Sequence, residues 1–162
     1  MKYKILLLLA FAFSSATAAA TETRFGAWIL DERSNGVGEA YTTNESGSSL
    51  GVLCLKECFA YIDPKIRCNN GEKYPILFSS QMGVGSRVTL CFHAGEKMVL
   101  KFEELGFITA NTTKQGLIGF SIGMPDAQFK VVKFDMEGAG DSIGGLLTHT
   151  RSNNQRTVDK IY

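Results

Sequence analysis

From residue 25 onward the chain alternates apolar and polar positions in short runs, each closed by glycine, asparagine, serine or proline. A period of two places successive side chains on opposite faces of a strand, so this pattern predicts β-structure throughout. Strands are expected over residues 25–31 (FGAWILD), 39–43, 50–54, 58–62, 76–78, 87–93, 97–102, 117–123 and 129–136. In the last, Val132, Phe134 and Met136 form a core face against exposed lysines, and 117–123 (LIGFSIG), apolar on both sides, reads as a central strand. Two stretches depart from the pattern. Residues 103–115 hold a short helix or a loop, because their β-branched residues oppose a helix, and 138–149 can open a short helix at Asp141 or Ser142 that buries Ile143, Leu146 and Leu147. The expected fold is a mainly β, small disulfide-containing sandwich or barrel with one or two short helices near the C-terminus.

All four cysteines lie between residues 50 and 92. Leu50, Val52 and Cys54 alternate on one strand face, and Cys58, Ala60 and Ile62 on the next, so a three-residue turn at 55–57 sets Cys54 opposite Cys58. Cys68 is then left to Cys91, which requires the strands around Ile76 and Val88 to pair antiparallel. The spacing C-x3-C and C-x22-C is a poor match to a zinc site, so no metal is expected.

The chain ends read differently from its middle. Residues 1–20 combine Lys2 and Lys4, a short apolar run at 5–13 and a small-residue stretch with A-x-A matches at Ala18 and Ala20, the order of a secretory signal peptide. The apolar run is too short to span a bilayer, so a periplasmic or secreted protein with no stable membrane insertion is expected, starting near Thr21. Residues 21–149 then form a single β-rich domain, and 150–162 have almost nothing to bury and read as a flexible tail. Without Lys2 and Lys4 the 17 basic residues become 15 against 16 acidic ones, a net charge of −1. That balance gives no footprint for nucleic acid.

Candidate chemistry is sparse. His93 and His149 are the two histidines, and His93 shares a strand face with Cys91, beside an expected disulfide rather than a free thiol. No G-x-S-x-G, S-x-x-K or H-E-x-x-H pattern occurs, so no catalytic residue is assigned. Gly138, Gly140 and Gly144 follow a strand, but their spacing is not that of a dinucleotide site, and no cofactor is expected. Asn44-Glu45-Ser46 and Asn111-Thr112-Thr113 fit the glycosylation sequon. Tyr41, Phe59, Tyr61 and Tyr74 cluster in the first half. If the disulfide face is the core, Phe59 and Tyr61 project outward as a recognition patch. If both faces are covered they are core, as aromatics of small sandwiches usually are. Two function classes remain: an exported non-catalytic domain that binds a protein or envelope component, and a small periplasmic hydrolase with a site assembled from distant residues.

Residues 101–147, with their short helix or loop, apolar strand, the segment FKVVKFDMEGAGDSI and a small-residue helix, resemble the C-terminal half of the invasion-associated locus B family of exported bacterial proteins. In that family a strand runs into a Gly/Ala-containing helix. The resemblance implies a periplasmic or secreted β-rich domain linked to host-cell interaction, with no catalytic residues to carry over.

Overall fold

The computed structural model describes residues 21–33, 37–113, 115–124 and 126–159, with side chains as far as 152. The signal segment expected over 1–20, the Asn35-Gly36 turn and residues 160–162 lie outside the described residues. In chain order the elements are β1 (Thr21–Phe25), β2 (Trp28–Glu32), β3 (Gly38–Thr43), β4 (Ser49–Cys54), β5 (Cys58–Asp63), β6 (Lys73–Ser80), β7 (Gly83–Ala94), β8 (Lys97–Phe102), α1 (Gly106–Asn111), β9 (Leu117–Gly123), β10 (Phe129–Asp135) and α2 (Ala139–Asp159).

All ten strands join one antiparallel sheet in the order β1-β2-β3-β4-β5-β8-β7-β6-β9-β10. The sheet is neither a two-sheet sandwich nor a closed barrel. It rolls until its last strand lies against its second and third, where the Trp28 indole donates to the Asp135 carbonyl at 2.8 Å and the Asn44 amide donates to the Lys133 carbonyl at 3.1 Å. One backbone bond joins the seam, from Ala27 N–H to Glu137 C=O at 3.1 Å. Rolling gives a single sheet an inside, and the right-handed twist of long antiparallel sheets supplies the curvature.

That inside is the main core. Leu50, Val52, Cys54, Ala60, Ile62, Ile76, Leu100, Ile118, Phe120, Ile122, Val132 and Phe134 all face it and are buried. Phe107 of α1 enters it from one end, with its ring 4.7 Å from Phe78 and 5.0 Å from Phe102. Burial of Phe107 and Ile108 is what holds this six-residue helix, since no side chain caps its N-terminus. At the other end α2 packs Ala139, Ile143 and Leu146 against β2 and β3, beside Trp28, Leu30 and Ala40. The approach is close: a Cβ on Gly38 would sit 2.7 Å from Leu146 Cδ1.

The hairpin register of the cysteines is as expected. Cys54 pairs with Cys58 across the β4–β5 ladder and the two are bridged, with Cα atoms 4.0 Å apart. β6 and β7 pair antiparallel through Pro75 with Val88, and Cys68 reaches Cys91 with Cα atoms 6.1 Å apart. Three expectations change. Residues 25–31 are not one strand, because Gly26 adopts φ +54° and turns the chain between β1 and β2. The second helix opens at Ala139 rather than Asp141 or Ser142, and its backbone runs on to Asp159, beyond the point where the sequence pattern ended it. Thr150, placed in a tail by the sequence reading, is buried and its hydroxyl donates to the Leu146 carbonyl at 3.0 Å. As expected of a central strand, β9 is paired on both sides, with β6 and β10; Ile118, Phe120 and Ile122 point inward and Leu117 is in water.

Candidate functional site

The outer side of the sheet divides into two halves of different chemistry. Over β3, β4, β5 and β8 it is covered by its own side chains. Phe59, Tyr61 and Val99 are buried there, packed by Leu53, Phe92 and Ala94, and the Lys101 ammonium lies 4.8 Å from the Phe59 ring centre and 5.3 Å from that of Phe92. The aromatic patch is therefore corrected. Phe59 and Tyr61 do lie on the face opposite the disulfide, but they form a second small core rather than an exposed surface. Tyr74 is buried in the main core with its hydroxyl donating to Glu72 Oε2 at 2.9 Å, and Tyr41 is half-buried. The four residues present no common surface.

Above this small core the facing ends of β2 and β3 and the β4–β5 and β7–β8 turns border a basin of about 410 Å³, lined among others by Asp31, Glu39, Leu53, Tyr61 and Lys97. Asp31 and Glu39 are cross-strand neighbours, and Tyr61 donates its hydroxyl to Glu39 Oε1. Burial first, then the charge and hydrogen bond of Glu39, push the Tyr61 phenol well above its ordinary value, so it is a neutral donor across the physiological range. Tyr41 is raised too, chiefly by burial and then by the carboxylates of Glu22, Glu39 and Asp31. Sequence reading missed this basin because Asp31, Glu39 and Tyr61 lie on three strands, and only register brings them together.

The other half, over β6, β7, β9 and β10, is uncovered. Successive registers set Val88, Pro75, Gly123 and Phe129 in one row across the four strands, Ser86, Leu77, Ser121 and Val131 in the next, and Val84, Ser79, Gly119 and Lys133 in a third. Large residues stand beside small ones, leaving a groove of about 560 Å³. The large outward side chains along it are in water, Leu77 56% exposed, Val84 82% and Val131 61%, and so is Phe129 beside it at 65%. On the same strands the inward positions, such as Ile76, Phe120 and Val132, are fully packed. The signal lay in the sequence as a second apolar set in FKVV and in KYPILF, alternating with the core set.

His93 is exposed near the end of β7, and its backbone N–H is held by Asn70 Oδ1 at 3.2 Å. His149, on α2, has Nδ1 3.3 Å from Glu32 Oε1 and Nε2 3.3 Å from the Arg33 carbonyl. Gly138, at φ +84°, is a strand-to-helix turn packed on β1, where a Cβ would fall 1.9 Å from the Phe25 carbonyl oxygen. Both sequon asparagines are engaged in the fold. Asn44 Oδ1 accepts from the N–H groups of Ser46 and Ser48, and Asn111 bonds Ser80 Oγ and the Phe107 carbonyl. Among the described residues no cluster of three or more His, Cys, Asp or Glu is placed to hold a metal, and no helix is long and apolar enough to cross a membrane. The two disulfides accord with an extracellular or periplasmic protein. Comparisons with family models, with curated proteins and with solved structures found no match to this chain.

Proposed function

We propose that this chain is an exported, non-catalytic interaction domain of the bacterial cell envelope, periplasmic or secreted after loss of residues 1–20, which holds a protein or other envelope component on the uncovered half of its sheet. One observation carries the reading: a contiguous apolar surface of Leu77, Val84, Val88, Phe129 and Val131 stands in water over a groove, on a domain whose core is already complete without it. Leaving such a surface solvated costs solubility, and patches of this kind mark contact sites. A role in host-cell contact, which the resemblance to the invasion-associated locus B family implies, belongs to the same proposal. The hydrolase alternative has the His149–Glu32 pair to build on, but Nε2, the nitrogen a nucleophile would need, lies against the Arg33 carbonyl.

The test is a photo-crosslinking residue placed at Leu77 in cells that export the protein, with Asp141, exposed on α2, as the control position. A discrete adduct from position 77 and none from 141 supports the proposal. No adduct from either, or the same adducts from both, rejects it.

A further inference from the structure

Strand β10 is an edge of the sheet, and it is sealed along only part of its length. Its even-numbered residues turn their backbone groups toward β9, as the bond from Met136 N–H to the Gly116 carbonyl and that from Met124 N–H to the Gln128 carbonyl show. The odd-numbered residues point away from the sheet. Three of them are capped across the seam, Glu137 by Ala27, Asp135 by Trp28 and Lys133 by Asn44. Beyond Asn44 the seam ends. Among the described residues nothing bonds the outward N–H and C=O of Phe129 and Val131, whose side chains are 65% and 61% exposed. Short, charged or covered strands usually protect such edges; this one carries Lys130 and Lys133, but it is uncovered at Phe129 and Val131, where its outward side chains are apolar.

Building on the interaction face proposed above, we infer that the open stretch of β10 at Phe129 and Val131 takes an extended segment of a partner protein as an eleventh, antiparallel strand. Two backbone groups on each residue supply the ladder, and the neighbouring groove supplies pockets for alternate side chains. The register sets the chemistry of the partner. Residues opposite Phe129 and Val131 extend the apolar row and are themselves apolar, while those opposite Lys133 on the outer face and Lys130 on the inner are acidic, because neither lysine is paired with an acid among the described residues. A second copy of this chain fits less well, since an antiparallel β10 pair centred on the open stretch sets Lys130 against Lys130.

The probe is a capped hexapeptide with the order glutamate, threonine, valine, glutamate, valine, threonine, titrated into the isotopically labelled full domain and followed by amide resonances. The proposal expects the Phe129 and Val131 amides to shift and become protected from exchange. It also expects a peptide with lysines in place of glutamates to bind about tenfold more weakly. Val131→Pro, which removes one outward donor on an edge where proline is tolerated, should abolish the response. Lys133→Glu, an exposed change that leaves the fold alone, should abolish the charge preference, because the new glutamate and the remaining Lys130 then favour opposite peptides. Binding that leaves residues 129 and 131 unperturbed, an unaltered charge preference in Lys133→Glu, no binding at millimolar peptide, or a dimer in sedimentation that Val131→Pro dissolves would each overturn it. If the edge fails while position 77 still crosslinks, the interaction face stands and only the strand-addition mode is lost.

Discussion

Tyr61 shows how one residue joins two parts of the fold. Its ring is buried in the small outer core while its hydroxyl, the one polar atom, is spent on Glu39. Tyr61→Phe should destabilise by about 1 kcal/mol, the net worth of a hydrogen bond to a charged group less the recovery of Glu39 by water, measured by urea unfolding. The sign of the pH effect follows from the raised phenol. A group whose folded pKa exceeds its unfolded value contributes stability that is whole below the unfolded value near 10 and is lost as pH rises through the folded one. Stability should therefore fall with pH above about 10, and Tyr61→Phe should flatten that fall. Gly138 is a second sensitive position. An added Cβ meets the Phe25 carbonyl and the backbone is left-handed, so Gly138→Ala should cost about 3 kcal/mol or more, read from the same unfolding curves.

At the scale of elements, the β4–β5 hairpin and the β6–β7 pair are what the sequence makes most legible. Their period-two pattern and turn residues act locally, and the cysteines report the register directly. Removing the Cys68–Cys91 bridge by paired Ser substitutions should cost about 3 kcal/mol, against about 2 or less for Cys54–Cys58, because the longer loop regains more freedom when unfolded. Denaturant midpoints of the two double variants check the order. Less legible were the elements decided by distant partners. The Gly26 turn exists because β1 folds back on β2 beside Glu137, and α2 starts early because Ala139 fits under the sheet. Neither neighbour is adjacent in sequence. The small outer core was legible only as a choice, since alternation places Phe59 and Tyr61 on the second face without saying whether Lys101, Phe92 and Val99 will cover it.

For the whole molecule the central claim is that the sheet has one face the fold needs and, over β6, β7, β9 and β10, another that it does not. Alternation along one strand cannot reveal this, because an apolar residue pointing outward looks the same whether or not a layer covers it. Only the strand order does so, by grouping β3, β4, β5 and β8, whose outward side chains cover one another, apart from β6, β7, β9 and β10, whose outward side chains stay in water. The claim is tested most directly by equilibrium urea unfolding of the Leu77→Ser, Val84→Ser double variant at two protein concentrations. Both side chains are more than half exposed, so stability should stay within about 0.5 kcal/mol of the parent at either concentration. A loss of about 2 kcal/mol or more would mean that these side chains are packed in solution and would contradict a free interaction face.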